Sequence, residues 1–265
     1  MRKLGLSVGI LFMITGFIAI SVSSVSARDG FNVSLGVKGW ANQWETSFFF
    51  NDTSYAGQNV KVTTDSKFVP IPVLAVKYGN AFISGSYYTK TNFTFNKFNY
   101  RATYTTTGTI VETLAASADR SEWDANIGYY IHPSVALSVG YKNITQDYSQ
   151  TVSSPGITYT QPTSKSTTEI KGPTVGIVGN APIGSGFGLY GNISYGWLKS
   201  KYTGVSTEDN SSYVLSDTGF NYMFKSVPLL VNLGYRYQSI YTDVSSGLKA
   251  PDVTTGFVLG ANLVF

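Results

Sequence analysis

Apolar and polar residues alternate along several stretches of the chain, and long polar segments separate these stretches. The last ten residues show the alternation clearly. Positions 257, 259, 261, 263 and 265 carry Phe, Leu, Ala, Leu and Phe, whereas the residues between them are smaller and partly polar. A period of two is that of a β-strand with one face toward an apolar phase. The C-terminal segment therefore predicts such a strand.

Ten stretches of this kind can be read along the chain. Five of them begin apolar and finish aromatic: 31–40, 81–88, 135–142, 187–197 and 229–237. Five returning stretches lie between them: 68–78, 121–132, 169–183, 213–225 and 253–265. Short turns follow the returning stretches, and long polar segments join the other ends, as in bacterial β-barrels. We therefore predict an all-β, antiparallel up-and-down barrel of ten strands.

Two other strand numbers are the alternatives. Eight strands would leave the apolar hairpin over 213–241 without a place, and twelve would require strands within the loops rich in Thr and Ser. Asp217 and Lys225 interrupt the apolar face of the stretch 213–225. One or two helical turns are predicted over 111–119.

Aromatic residues fall near both predicted ends of the strands. Those near the outer ends are Trp40, Tyr87, Tyr88, Tyr141, Tyr195, Trp197, Tyr235 and Tyr237, and those near the inner ends are Phe31, Phe187, Phe257 and Phe265. Two aromatic girdles with aliphatic residues between them are typical of transmembrane barrels. A soluble β-sandwich or lipocalin-like barrel is the alternative, and the girdles favour a transmembrane barrel.

The N-terminus predicts secretion. Arg2 and Lys3 precede an apolar run, and Val25-Ser26-Ala27 has the small residues of a cleavage site. We predict a signal peptide over 1–27 and a single mature domain over 28–265. The chain has no Cys, which excludes disulfides and thiolate metal sites.

With these features, the chain resembles the Gram-negative outer-membrane β-barrel superfamily, which includes small OmpW-like, OmpX-like and opacity-type barrels. The resemblance covers about the whole mature chain and implies location in the cell outer membrane. In that family, a last strand ending in Phe is the signal read by the barrel-assembly machinery. Here the residues of that insertion signal are Phe257, Leu259, Leu263 and Phe265. The expected partners are outer-membrane lipid and lipopolysaccharide, and we expect a monomer.

Charged residues alternate with the apolar face and are therefore expected inside the barrel. Lys38, Lys142 and Arg236 each lie seven residues past the start of a strand, and Glu122 and Asp124 lie on a returning strand. We predict that these five residues form a cluster in the lumen, with the cations paired to the carboxylates or hydrated. Such a cluster either fills a narrow barrel or forms an anion-attracting constriction.

Residues suited to catalysis are scarce. Ten-stranded omptin proteases resemble this chain in strand count, but their chemistry needs an Asp/His pair at the extracellular rim. The single His, His132, is predicted in a turn on the periplasmic side. We expect no catalytic, cofactor or metal site. The 19 Lys and Arg residues include Arg2 and Lys3, which leaves 17 against 15 acidic residues in the mature chain, and this near balance argues against nucleic-acid binding.

The sequence therefore predicts a non-enzymatic outer-membrane barrel with a structural or surface-interaction role. The alternative is a porin-like narrow pore for small solutes or ions.

Overall fold

The computed structural model describes residues 30–49, 59–104, 108–154, 163–243 and 249–265, so the predicted signal peptide lies outside the described residues. These ranges contain twelve β-strands. The strands are β1 Phe31–Phe49, β2 Asn59–Thr63, β3 Lys67–Tyr78, β4 Ala81–Thr94, β5 Phe98–Tyr104, β6 Gly108–His132, β7 Val135–Ser153, β8 Ser164–Gly184, β9 Phe187–Tyr202, β10 Glu208–Met223, β11 Leu229–Asp243 and β12 Lys249–Val264. Within the described ranges, no helix is long and apolar enough to cross a membrane.

Ten of these strands form a closed antiparallel barrel. Neighbours in sequence pair with each other from β6 to β12, and β4, β3 and β1 complete the circuit. β1 and β12 close it, with paired residues from Ser34 and Val264 to Thr46 and Asp252. The prediction of ten strands is therefore confirmed.

The two remaining strands continue barrel strands beyond an interruption. β3 pairs with the first part of β1, and β2 pairs with its far end. In the same way, β4 pairs with β6 over 117–129, and β5 pairs with β6 over 108–114. The segment 111–119 is thus strand, and the helical turns predicted there are wrong. Its residues alternate between the two faces of the sheet, and the pairing supplies hydrogen-bond partners that a helical turn would have to make internally.

Short turns join the strands at one end, which bacterial barrels place in the periplasm. The turn between β8 and β9 is tight because Gly184, Ser185 and Gly186 all have positive φ, of 110°, 52° and 89°. At the other end the strands run far beyond the length that a bilayer requires. β6 has 25 residues, whereas about ten tilted residues span the hydrocarbon core.

The polarity of the inward and outward faces of the sheet reverses along the barrel. We call the part between the short turns and the level of Lys38, Glu122, Lys142 and Arg236 the lower barrel, and the part beyond this level the upper barrel. In the lower barrel, apolar side chains face outward and are exposed: Leu35, Val37, Leu74, Ile83, Ile127, Leu137, Val139, Val175, Ile177, Ile193, Phe220, Leu233 and Leu259. Its inward residues are polar: Asn32, Ser34, Ser84, Ser86, Asn126, Ser138, Asn192, Ser194, Asn221, Asn232 and Asn262.

The upper barrel has the opposite arrangement. Its inward side chains form two buried apolar clusters. One centres on Trp44, Phe93 and Phe95, and the other on Ile144, Ile170 and Leu198. Its outward residues are charged or polar, among them Glu45, Lys61, Lys90, Asn92, Asp119, Asp147, Glu169, Lys171, Lys199, Lys201, Asp243 and Lys249. The lower barrel thus has the surface of a membrane protein and the upper barrel that of a soluble one.

Most of the predicted girdle residues face outward at the predicted level, but two of them face inward and a third lies at the other girdle. Trp40 and Tyr88 are buried inside the barrel, since Trp40 lies on the same face as Lys38 and Tyr88 pairs with Glu122. Phe257 was predicted near the periplasmic end, yet it pairs with Tyr235, and the two rings meet edge to face at 5.4 Å. Phe257 therefore belongs to the outer girdle.

Candidate functional site

The most unusual feature of the interior is a set of buried charges where the lower barrel meets the upper barrel. Glu122 lies at its centre and is 2% exposed. One of its carboxylate oxygens accepts hydrogen bonds from Arg120 Nε and Gln238 Nε2, both at 2.8 Å. The other lies 2.7 Å from Lys142 Nζ. Strands β6, β7 and β11 are thereby joined across the lumen by one carboxylate.

Further carboxylates neutralise the same cations. Lys142 Nζ lies 3.5 Å from Asp124, and Arg120 donates to Asp252 at 3.0 Å. Asp252 also accepts a hydrogen bond from Gln146 at 2.8 Å. Burial raises the pKa of Asp252, and the nearby Arg120 guanidinium opposes that rise.

A second part of the set lies on β1, β10 and β11. Lys38 donates to Asp217 at 3.1 Å, which links β1 to β10. Arg236 is buried and has Asp217 as its partner in the β10–β11 pairing. Its guanidinium lies over the ring of Trp40, with 4.7 Å between the guanidinium carbon and the ring centroid. Cation–π contacts of this kind are strongest away from water.

We call these eight charged residues the boundary network: Lys38, Arg120, Glu122, Asp124, Lys142, Asp217, Arg236 and Asp252. Four are cations and four are carboxylates, so the network is neutral as a whole. Buried ions are tolerated where each has partners of opposite charge, since an unpaired ion would bear the full cost of leaving water. The arrangement holds distant strands together, and the network itself carries no net charge.

The five residues predicted from the sequence all lie in this network, but their pairing differs from the prediction. Lys142 contacts both Glu122 and Asp124, as expected. Lys38 pairs instead with Asp217, on a strand whose charge appeared in the sequence only as an interruption. Arg236 makes no ion pair within 4 Å in the described part of the chain.

Three members of the network were missed by sequence reasoning. Arg120 and Asp252 lie at the edges of segments predicted as loops, and Asp217 was counted against its strand. The alternation held a signal for two of them. Arg120 is an even number of residues from Glu122 and Asp124, and Asp252 is an even number of residues from the inward residues of β12.

Below the network, inward-facing Asn residues lie opposite Gly residues of the neighbouring strand. The cross-strand pairs are Gly36 with Asn262, Asn126 with Gly140, Asn221 with Gly188, and Asn232 with Gly260. In each of these pairs, a Cβ atom on the Gly would meet the Asn side chain. The Gly residues therefore let a polar amide lie flat against the next strand.

The insertion-signal residues lie along the outer face of β12. Phe257, Leu259, Leu263 and Phe265 are all exposed, at 67%, 61%, 43% and 65%. The backbone of Phe265 exchanges two hydrogen bonds with Val33, at 2.9 and 3.0 Å. The terminal residue thus takes part in closing the barrel.

His132, the remaining candidate for catalysis, lies at the end of the barrel that carries the short turns. His132 is exposed in the turn after β6, and its Nδ1 accepts a hydrogen bond from the backbone N–H of Ser134 at 3.2 Å. Across the described ranges, no group of three or more His, Asp and Glu residues could hold a metal ion.

Several solved structures align with this chain over most of its length. The outer membrane protease OmpT from Escherichia coli matches 92% of this chain and 99% of its own, with a TM-score of 0.57 and 12% identity. The translocator domain of the autotransporter NalP from Neisseria meningitidis matches 98% of this chain and 97% of its own, with a TM-score of 0.41 and 11% identity. Ail, the attachment invasion locus protein of Yersinia pestis, matches 89% and 99%, with a TM-score of 0.32 and 10% identity. No family model matches the sequence, and no curated protein matches it.

The chain has the fold of an outer-membrane β-barrel. The closed ten-stranded circuit and the exposed apolar surface of the lower barrel both belong to this class. An apolar belt of this kind suits contact with a lipid bilayer, with the upper barrel beyond the belt.

Proposed function

We propose that the protein is a non-enzymatic outer-membrane barrel with a closed lumen and a structural or surface-interaction role. The observation that carries this proposal is the buried, neutral boundary network that crosses the lumen. Arg120, Glu122 and Lys142 are at most 3% exposed, so water does not reach them from either end. A conducting pathway requires a continuous column of water, and small barrels are readily filled by their own side chains.

The upper barrel provides a second closure. Trp44 is fully buried and packs against the rings of Phe93 and Phe95, with centroid separations of 5.4 and 5.0 Å. Tyr148 lies against the same cluster at 6.0 Å from Trp44. An ion that passed the boundary network would therefore meet an apolar layer, where its desolvation is costly.

The polar exterior of the upper barrel supports the surface role. Its strands continue by many residues beyond the membrane-spanning part, and their outward side chains are charged or hydroxylated. Loops and rims carried on a rigid barrel are the usual places for recognition.

The absence of enzymatic activity is part of the proposal. OmpT is a protease, and at 12% identity its likeness to this chain concerns the fold alone. The single His residue supports the proposal, because His132 lies in a turn at the periplasmic end, far from the exposed upper barrel. General acid–base chemistry at neutral pH most often uses His.

Conductance of the refolded protein in a planar lipid bilayer tests the closed lumen. We expect no single-channel events from protein whose gel migration changes on heating, which is the control for a folded barrel. Channel events whose ion selectivity changes in an Arg236→Glu variant would contradict the proposal and support the narrow pore. The observation that favours this alternative is the lining of the lower lumen, where Asn and Ser occupy many inward positions.

A further inference from the structure

Arg236 is a buried cation in the lumen, and its guanidinium contacts an aromatic ring. Arg236 is 6% exposed, and Trp40 is fully buried. Among the residues that the structure describes, neither Arg236 Nε nor Trp40 Nε1 has a hydrogen-bond partner. The guanidinium carbon lies 4.7 Å from the centroid of the Trp40 ring, so the two unpartnered N–H groups belong to side chains in contact. A buried donor without an acceptor is costly, which makes two of them together unusual.

Asp217 does not satisfy these donors. It lies opposite Arg236 in the pairing of β10 with β11. Its Oδ2 accepts a hydrogen bond from Lys38 Nζ at 3.1 Å, and its Oδ1 has no hydrogen-bond partner in the described strands. The guanidinium is thus placed over Trp40 and not against this carboxylate. A guanidinium with a free edge can bind two oxygens of an oxyanion side by side.

The two parts of the boundary network are not neutral by themselves. The part on β1, β10 and β11 contains two cations, Lys38 and Arg236, and one carboxylate, Asp217, which leaves one positive charge. The part on β6, β7 and β12 contains two cations and three carboxylates, which leaves one negative charge. The excess of positive charge therefore lies on the side of Arg236, where it attracts an anion.

The lower lumen gives a solvated approach to this side of the network. Ser84, Asn126, Asn192 and Ser194 face the interior and are nevertheless partly exposed, so water reaches them. The side chain of Lys38 is also 24% exposed. A small solute that enters the lower lumen can therefore come close to the network without crossing it.

The charges along this approach favour anions. Lys77 lies opposite the inward residue Asn32, and its Nζ is 4.7 Å from the centroid of the Tyr130 ring. No described Asp or Glu residue faces the lumen below the boundary network. A cleft lined by one sign of charge raises the local concentration of ions of the opposite sign. The lower lumen thus concentrates anions near Arg236.

We propose that a small oxyanion binds at the upper end of the lower lumen, against the free edge of the Arg236 guanidinium. The Trp40 indole N–H is the second donor, and Lys38 contributes a further positive charge. The ligand is recognised by two adjacent oxygens and a negative charge, as in a carboxylate or inorganic phosphate. The inference goes beyond the proposed function and requires no conduction, because the anion reaches Arg236 from one end of the lumen.

Phosphate binding to the refolded protein tests the assignment, in a non-ionic detergent and at constant ionic strength. Phosphorus NMR line broadening measures the binding, and a gel migration that changes on heating is the control for a folded barrel. We expect inorganic phosphate to bind at one saturable site. Acetate should displace it, because acetate also presents two oxygens, whereas chloride at the same concentration should not.

Two variants remove the donors one at a time. Arg236→Gln should bind phosphate about tenfold more weakly or worse, because hydrogen bonds to a charged group are lost. Trp40→Phe keeps a ring beneath the guanidinium and removes the N–H, so it should weaken binding about threefold. The matched control is Lys61→Gln, which removes a cation that is 61% exposed on the outside of the barrel. Its affinity should stay within about twofold of the unaltered protein.

The design keeps the proposal open to refutation. If Arg236→Gln does not fold, Trp40→Phe carries the test with Lys61→Gln beside it. No saturable phosphate binding by the folded protein, or an equal loss of affinity in Lys61→Gln, would overturn the proposal. So would unchanged binding in the variants of Arg236 and Trp40, or displacement by chloride as effective as displacement by acetate. Conductance is measured separately, so a conducting lumen would contradict the closed lumen and leave this site in place.

Discussion

Neutralising Glu122 should destabilise the barrel far more than neutralising an exposed carboxylate. In the Glu122→Gln variant, Lys142 retains only the more distant Asp124, at 3.5 Å, and Arg120 retains Asp252. The side chains of Glu122, Arg120 and Lys142 are at most 3% exposed, so water cannot replace the lost charge. Removing one partner of a buried ion pair costs about 3–5 kcal/mol.

The control for this prediction is Glu45→Gln. Glu45 lies 2.6 Å from Lys61, but both side chains are substantially exposed, at 34% and 61%. Exposed pairs contribute about 0–1 kcal/mol, and salt weakens them further. The two variants thus remove the same chemical group from short ion pairs that differ in burial.

Equilibrium unfolding by urea or guanidinium in lipid vesicles measures both effects, with tryptophan fluorescence as the signal. We expect the free energy of unfolding to fall by about 3 kcal/mol or more for Glu122→Gln and by less than about 1 kcal/mol for Glu45→Gln. Adding Lys142→Met to Glu122→Gln should recover part of the loss, because the buried cation is then removed as well. A loss below about 1 kcal/mol for Glu122→Gln, or no recovery in the double variant, would refute the reasoning.

Three further predictions concern the walls of the barrel. Single-tryptophan variants should show strong quenching by brominated lipid at Trp197, which is 57% exposed, and little at the buried Trp44. Gly256→Ala should lower the free energy of unfolding by about 1–3 kcal/mol, because its Cβ would meet the Ala41 carbonyl. Gly85→Ala, whose Cβ has its nearest neighbour at 3.4 Å, should change it little. Phe265→Asp should reduce the amount of heat-modifiable barrel in outer-membrane fractions, whereas Asp at exposed Thr163 should not.

The period-two alternation was sufficient to predict the barrel, its strand number and most strand positions. Alternation reports which residues share a face, and a bilayer makes that signal strong in the lower barrel. In the upper barrel the apolar residues face inward and the charged residues outward, as Trp44 and Lys199 show. The rule of apolar outside and polar inside fails there, and those parts of the strands were predicted as loops.

Trp40 shows why a single rule can mislead. Trp40 lies two residues after Lys38 on the same strand, and this spacing predicts an inward side chain. Its aromatic character suggested instead that it belongs to the outer girdle. The structure follows the parity, and the ring of Trp40 packs beneath the Arg236 guanidinium. An aromatic residue near the bilayer interface is therefore not sufficient evidence for lipid contact when its strand neighbours are polar.

The partners within the boundary network could not be derived from the sequence. Parity predicts that Lys38 and Asp217 both face the lumen, but they are 179 residues apart and lie on strands that are not adjacent. Which inward residues meet across a barrel depends on strand tilt and on the stagger of the strands around the circuit. These quantities are properties of the closed barrel as a whole.

The position of the boundary network follows from the reversal of the two faces. Many inward residues below it are polar, and above it two apolar clusters lie in the interior, so the level between them must hold groups that can contact both. Long charged side chains meet that requirement because their stems are apolar and their ends are polar. Arg120 and Arg236 are examples of such side chains. Each guanidinium lies over a Trp ring, and a strand that carries a carboxylate residue of the network lies beside it. The network therefore marks the level at which a membrane barrel continues as a barrel of the soluble kind.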